Sequence, residues 1–103
     1  MSQSTLCSAI RAKHLVRFYY ADPESPGFRT VEPHMVAYTS ADYLALSAWY
    51  LSGASESQEG QDWRIYLLSE MTQVTELEQQ FSGPRHGYRR DEGKSFHNVQ
   101  CAL

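Results

Sequence analysis

The chain lacks long apolar runs and an excess of basic charge. None of its 103 residues belongs to a stretch of the roughly 20 apolar residues that a membrane-spanning helix requires, and residues 1–8 lack the charged and apolar regions of a signal peptide. Lys and Arg number 9 against 12 Asp and Glu, which disfavours binding of nucleic acid over the whole surface, because phosphates need clustered cations. We therefore expect a cytoplasmic protein with no membrane partner.

Cysteine is scarce, and the two present, Cys7 and Cys101, lie near opposite ends of the chain. A reducing cytoplasm disfavours disulfides and no Cys-x-x-Cys spacing is present, so we predict two free thiols, with a disulfide or a shared metal as the alternative. The four histidines lack the paired spacing of zinc ligands. No Gly-rich phosphate loop or recognisable nucleophile motif occurs. We therefore expect no enzyme, metal or cofactor.

The composition that is present is typical of one globular domain. Hydrophobic residues make up 42% and aromatic residues 13%, against 20% charged residues, and the length fits a single domain. The charge is uneven, because residues 1–84 carry 5 basic and 10 acidic side chains whereas residues 85–103 carry 4 and 2. A basic tail on an acidic body favours both docking of the tail on the body and capture of an anion by the tail.

Hydrophobic periodicity predicts a short helix followed by strands. The helix has Ser4 or Thr5 as its cap and ends near His14. Extended segments, separated by turn-forming residues, are predicted over 15–20, 28–39, 43–51 and 63–68. Residues 74–81 could close the sheet or form a helical turn. So few strands favour a small barrel, because closure removes open edges.

Four short motifs occur in order along the chain. They are Val16-Arg17-Phe18-Tyr19-Tyr20, Arg29-Thr30-Val31-Glu32-Pro33, Tyr43-Leu44 and Arg64-Ile65-Tyr66-Leu67-Leu68. In this order and spacing they resemble a WYL domain over residues 8–81. Two positions depart from the family pattern, with Asp42 in place of a Trp and Glu70 in place of an Arg.

Further segments make the chain similar to short stand-alone WYL-domain proteins of bacteria. They are Glu32-Pro33-His34, Trp63 and Phe81-Ser82-Gly83-Pro84-Arg85-His86-Gly87-Tyr88-Arg89-Arg90. The resemblance implies a mainly-β fold, a small Sm-like or SH3-like five-stranded barrel with a short N-terminal helix. We place the barrel domain at residues 1–81 and a basic, extended C-terminal segment at 82–103.

The resemblance also implies a regulatory role. In longer relatives the domain follows a helix-turn-helix and acts as the sensor of bacterial transcription regulators, including those of DNA damage and phage defence, by binding nucleic acid or nucleotide-like ligands. The corresponding expectation for this chain is a non-catalytic ligand-sensing module with an anionic ligand, a nucleotide or single-stranded nucleic acid. A separate regulator or effector protein would then be a partner.

Arginine, histidine and tyrosine side chains of the strands are the candidates for the ligand site. Arg64 lies among apolar residues, where a guanidinium needs a partner, so it binds an anion or pairs with Glu32 or Glu70. Arg29 and His34 lie on opposite faces of a regular strand, unless a bulge at Pro33 brings them together. The alternative to ligand binding is an exposed charge on the strand for Arg29 and an imidazole hydrogen-bonded to backbone for His34.

Two tyrosines complete the predicted ligand-binding set. Tyr20 and Tyr43 could stack on a base, or pack in the core with the hydroxyl at the rim. The ligand-binding prediction is therefore Tyr20, Arg29, His34, Tyr43 and Arg64.

The tail interleaves cations with an aromatic residue, a combination that suits single-stranded nucleic acid. The predicted nucleic-acid-binding residues are Arg85, Tyr88, Arg89 and Arg90. A tail pinned to the acidic body of its own chain or of a neighbour is the alternative. A competing function class is a homo-oligomeric assembly module, a dimer or higher oligomer whose exposed strand edges and arginines form the interface.

Overall fold

The computed structural model describes residues 2–53, 62–88 and 96–103. Within these residues one helix is followed by six strands. The elements are α1 (Ser2–Ala12), β1 (His14–Tyr20), β2 (Gly27–Thr39), β3 (Leu44–Gly53), β4 (Asp62–Leu67), β5 (Met71–Gln80) and β6 (Phe96–Ala102). The predicted helix and the first four predicted strands are confirmed, and the ambiguous segment 74–81 is resolved as a strand.

Helix α1 forms because its apolar side chains recur on one face. Leu6, Ala9 and Ile10 are buried against the sheet, the spacing that an amphipathic helix produces. The helix ends where Lys13 takes a left-handed φ of 59°, a conformation common just past a helix C-terminus. No helix within residues 2–53, 62–88 and 96–103 has the length and apolar character needed to cross a membrane.

The strands form one antiparallel sheet in the order β4-β3-β2-β1-β5, with β6 also paired to β2. Strand β3 runs along one edge of β2, so β1 and β6 share the other edge. Strand β1 pairs with residues 27–31 of β2, and β6 pairs with residues 35–39. The partner changes around Pro33, which has no N–H to donate, and the β2–β3 register shifts between Pro33 and Met35. The predicted irregularity at Pro33 is confirmed.

The prediction of a closed five-stranded barrel is wrong. The sheet has six strands, and its order ends at β4 and β5 with no pairing between them in the described part of the chain. A 3₁₀ turn, Leu68–Glu70, carries the chain from one end strand to the other. The sixth strand comes from the predicted C-terminal extension, so residues 96–102 belong to the same sheet. The Sm-like or SH3-like assignment stays a prediction.

The prediction of two free thiols is also wrong, because Cys7 and Cys101 form a disulfide. The bond joins α1 to β6, with a Cα–Cα distance of 5.7 Å between residues 94 positions apart. Cys7 lies on the buried face of α1, and Cys101 packs against the same core cluster. Spacing along the chain could not reveal this pairing, because it depends on β6 joining the sheet.

Candidate functional site

Residues 81–88, here called the docking segment, pack against the body through Arg85. Its Nε and Nη2 atoms donate to Oε1 and Oε2 of Glu32 at 2.7 and 2.8 Å, and its guanidinium lies 5.0 Å from the centre of the Trp49 ring. Glu32 is only 5% exposed, so the paired hydrogen bonds replace its lost hydration. The carboxylate raises the pKa of Arg85 above its ordinary value. The segment is therefore held by a two-bond ion pair.

His34 is completely buried beneath the docking segment. Its Nδ1 lies 2.8 Å from the backbone oxygen of Glu32, and its Nε2 accepts the backbone N–H of Arg85 at 3.0 Å. A carbonyl only accepts and an N–H only donates, so the ring is neutral with its proton on Nδ1. Burial lowers the pKa of His34, which is consistent with this neutral form. The predicted alternative, an imidazole bonded to backbone, is the arrangement observed.

Aromatic rings surround His34 where the docking segment packs on the body. The ring of His34 contacts those of Trp63, Phe81 and Tyr88, with centroid distances of 4.7, 5.5 and 5.1 Å. The Trp63 indole N–H donates to the backbone oxygen of His86 at 3.1 Å. The segments that resemble short stand-alone WYL proteins therefore meet in one contact network.

A cleft of about 380 Å³ opens beside this network. Its walls come from β3, β4, the docking segment and β6, and its lining residues are Ser47, Trp63, Arg64, Ile65, Gly87, Tyr88 and Phe96. This volume lies in the range of small-molecule sites. Gly87 has a φ of +92°, and a Cβ there would lie 3.3 Å from Nε1 of Trp63, so glycine lets the segment approach β4 closely.

Arg64 is a cationic residue of the cleft lining, and its guanidinium lies 5.3 Å from the centre of the Tyr50 ring. Its Nη1 donates to the backbone oxygen of Trp63 at 3.0 Å and lies 3.5 Å from a carboxylate oxygen of Asp62. The Asp62 side chain is 64% exposed, so solvent screens this pair and its contribution is small. Of the expected partners, Glu32 is instead bound by Arg85. Arg64 therefore both lines the cleft and pairs with a surface carboxylate.

Arg29 lies outside the cleft lining and holds the β1–β2 turn. It is only 4% exposed and donates to the backbone oxygens of Tyr20, Gly27 and Ser25 at 2.7 to 3.2 Å. Its expected alternative, an exposed strand charge, is wrong, because the guanidinium is buried among these carbonyls. Its Nη2 also lies 3.8 Å from a carboxylate oxygen of Asp22, so Arg29 stabilises the turn through backbone and side-chain partners.

The two predicted tyrosines also lie outside the cleft lining. The hydroxyl of Tyr20 accepts the backbone N–H of Leu67 at 2.9 Å, and burial raises its pKa. Tyr43 is 59% exposed, just before β3. Among the described cleft-lining residues, Arg64 is thus the one member of the predicted ligand-binding set.

The predicted nucleic-acid-binding residues fall into three groups. Arg85 is paired with Glu32, Tyr88 lines the cleft, and Arg89 and Arg90 lie outside the described residues. Docking of the tail on its own body, one of the two alternatives for this segment, is therefore observed for residues 81–88.

Several cleft residues were not predicted from the sequence as ligand-binding. Gly87 lies within a segment that the resemblance had singled out, and that signal could have found it. Trp63 and Ile65 also belong to segments that carry the resemblance, whereas Ser47 and Phe96 carry no such signal, because a lone hydroxyl or apolar side chain in a strand looks like ordinary packing.

Comparison with known proteins connects this site to a family. The model of the WYL domain matches residues 3–76, which extends from α1 into β5 and includes Arg64. No curated protein and no solved structure matches the chain. Since the match covers more than half of the 103 residues, the chain belongs to the WYL domain family.

Proposed function

We propose that this chain is a non-catalytic ligand-sensing module that binds a small anionic ligand of the nucleotide class in the cleft between β4 and the docking segment. WYL domains are generally regulatory, ligand-sensing domains. The observation that carries the finer proposal is the cleft itself, whose lining is mainly aromatic and apolar and includes Arg64.

The lining suits a flat ring joined to an anionic group. Tyr88, Phe96 and Ile65 offer apolar and aromatic surface, against which a base would pack. A phosphate would be bound by the guanidinium of Arg64, a planar fork that matches phosphate oxygens, once this side chain turns from Tyr50 and Asp62 into the cleft. The phosphate would compete with Asp62, whose contact at 3.5 Å with an exposed carboxylate is weak enough to be displaced.

A small ligand fits these observations better than a nucleic-acid strand. A strand needs a cationic groove that follows the backbone, whereas Arg85 is directed into the body and paired with Glu32. The cleft volume also falls in the small-molecule range. Single-stranded nucleic acid is therefore a competitor to be tested beside nucleotides.

The test is calorimetric titration of the full chain with AMP, adenosine and a short single-stranded oligonucleotide. We expect AMP to bind and Arg64→Ala to weaken it about tenfold or more, the usual loss for a charge-assisted hydrogen bond. The same substitution should weaken the binding of adenosine, which lacks the phosphate, much less. Arg11→Ala removes the same charge from the exposed end of α1 and should leave AMP affinity unchanged.

Three outcomes of this titration would count against the proposal. They are no binding of any nucleotide, equal loss with Arg64→Ala and Arg11→Ala, and tighter binding of the oligonucleotide than of AMP. Tighter binding of the oligonucleotide would indicate that the ligand is single-stranded nucleic acid.

Self-assembly is a second candidate, favoured by the end strand β4. In the described residues β4 pairs only with β3, and its Ile65 side chain is 54% exposed. An unpaired edge with an apolar side chain is a template for a second copy. Light scattering over a concentration series would detect such a dimer, and Ile65→Lys should dissociate it. A monomer at all concentrations would exclude this function.

A further inference from the structure

We propose that the Cys7–Cys101 disulfide is a thiol–disulfide exchange site that controls the cleft, so that a dithiol reductant releases β6 and opens the cleft wall. The proposal adds regulation to the proposed function and rests on that function only where ligand affinity is concerned. Release of β6 and opening of the wall can be measured without any ligand.

The disulfide is placed to hold a weakly paired strand. Among the described residues, strand β6 pairs with β2 alone, and its aligned residue pairs lie at its two ends. Between Cys101 and His97 the register shifts, and Asn98 has a φ of 54°. The side chains of residues 97–100 are exposed. The middle of β6 therefore contributes little, and the disulfide to α1 fixes the C-terminal end.

The other end of β6 forms part of the cleft. Phe96 is 8% exposed and packs with Met35, Ala37 and Ala45, while its ring also lines the cleft with Tyr88. Loss of the bond at Cys101 would leave β6 held by short pairing, by the packing of Phe96, by the contacts of His97 with Tyr38 and Asp42, and by the Leu103 N–H that donates to the backbone oxygen of His34. Detachment of β6 would remove Phe96 from the wall and expose Trp63 on the opposite side.

One of the two sulfurs belongs to a partly exposed residue. Cys7 is 8% exposed, whereas Cys101 has intermediate exposure. A thiolate of the dithiol attacks the Cys101 sulfur, the bond between the two cysteine sulfurs breaks, and Cys7 leaves as a thiolate that takes up a proton. The second thiol of the reductant then attacks the mixed disulfide and releases Cys101. The dithiol is oxidised to a disulfide, and the protein gains two electrons and two protons.

In a reducing compartment this disulfide would be open to reduction. Disulfides in such compartments are usually transient and redox-sensing, whereas those in oxidising compartments are permanent. The predicted cytoplasmic location therefore fits an exchangeable bond better than a permanent staple. Because the bond joins α1 to β6, the strand beside the cleft, its redox state affects how firmly the cleft wall is held.

The first arm of the test is hydrogen exchange by mass spectrometry on the full chain, oxidised or reduced with dithiothreitol. After reduction we expect amides of residues 96–103 to exchange well ahead of those of β3, because β6 is released locally whereas β3 exchanges through global unfolding. Reoxidation should restore slow exchange. Cys7→Ser/Cys101→Ser should show fast exchange in β6 with no response to dithiothreitol. An unchanged β6, or exchange of β3 and β6 together at one rate after reduction, would overturn the proposal.

The second arm reports the cleft wall without a ligand. In a Trp49→Phe background Trp63 is the one remaining tryptophan, and acrylamide should quench its fluorescence more strongly after reduction. Unchanged quenching together with a released β6 would overturn control of the cleft.

The third arm is AMP titration of both redox forms, where we expect about tenfold weaker binding after reduction. Equal affinity in the two forms would contradict regulation of binding. Absence of AMP binding in the oxidised form would contradict the proposed function, while the first two arms would still decide whether β6 and the wall respond to reduction.

Discussion

The carboxylate of Glu32 and the guanidinium of Arg85 join the docking segment to the body of the molecule. Glu32 is 7% exposed at its side chain and Arg85 is 39% exposed, so the pair lies at the margin of the core. A charge at such a position is favourable only while its partner is present. The pair therefore acts more as a condition for docking than as a net source of stability.

Removal of Arg85 should destabilise the fold because it leaves a buried carboxylate without its cation. We expect Arg85→Ala to lower the free energy of unfolding by about 2 kcal/mol, less than for a fully buried pair because water reaches the guanidinium. Urea denaturation followed by circular dichroism measures the change.

The matched comparison is a double variant that also removes the negative charge of Glu32. Arg85→Ala/Glu32→Gln should recover part of the loss, since a neutral amide is less costly to bury than a lone carboxylate. Additive losses in the double variant would show that the two side chains do not depend on each other.

At the scale of elements, His34 makes docking of the segment dependent on pH. The neighbouring charged groups are Glu32, which favours the protonated ring, and Arg85, which disfavours it, while burial is the largest effect and lowers the pKa of His34. Protonation would also place a proton on Nε2, the atom that accepts the Arg85 N–H. A protonated ring and a docked segment are therefore incompatible.

We expect the docking segment to loosen as the pH falls below about 6.5, the ordinary pKa of histidine. Because the folded pKa is depressed, the stabilisation is complete above the unfolded pKa and is lost between that value and the lower folded one. Acrylamide quenching of Trp63 in the Trp49→Phe background, followed from pH 8 to 5, measures the loosening.

His86, which lies in the docking segment and not on β2, provides the control for this pH effect. His86→Gln changes an exposed side chain and should keep the transition, whereas His34→Gln should remove it. A transition that survives His34→Gln would assign it to another group.

The elements themselves were predictable from sequence where one local pattern decides them. Helix α1 follows from apolar spacing, and β1 from the alternation of Val16, Phe18 and Tyr20. Strand β6 has no such pattern, because residues 97–100 are exposed and polar or isolated apolar. It is a strand because β2 offers an edge beyond Pro33. Closure of the sheet was likewise a question of long-range pairing that local patterns do not decide.

The site was predictable only in part, for a related reason. Arg64 was identified because a guanidinium among apolar residues is unusual in a strand. Arg29 was selected from the motif Arg29-Thr30-Val31-Glu32-Pro33, but it donates to backbone carbonyls near the β1–β2 turn, because sequence does not show which partner an arginine takes. Phe96 was missed because its role depends on where β6 lies.

At the scale of the whole molecule, the two ends of the chain hold one another. Helix α1 and strand β6 are joined by the disulfide, and the docking segment is fixed to β2 by Arg85. The cleft lies between these attachments, with walls from β3 and β4 on one side and from the docking segment and β6 on the other. A ligand that contacts both walls would therefore stabilise the docked arrangement by mass action.

The disulfide should also make a large contribution to global stability. It links residues 94 positions apart, and the chain-entropy account gives about 4.7 kcal/mol for a loop of that length. We expect Cys7→Ser/Cys101→Ser to lose about this amount in urea denaturation. The dependence on urea should steepen, because an unfolded chain without the cross-link exposes more surface. A loss under about 1 kcal/mol with an unchanged slope would show that the unfolded chain is not constrained by the bond, and the effect of reduction would then be confined to β6 and the cleft.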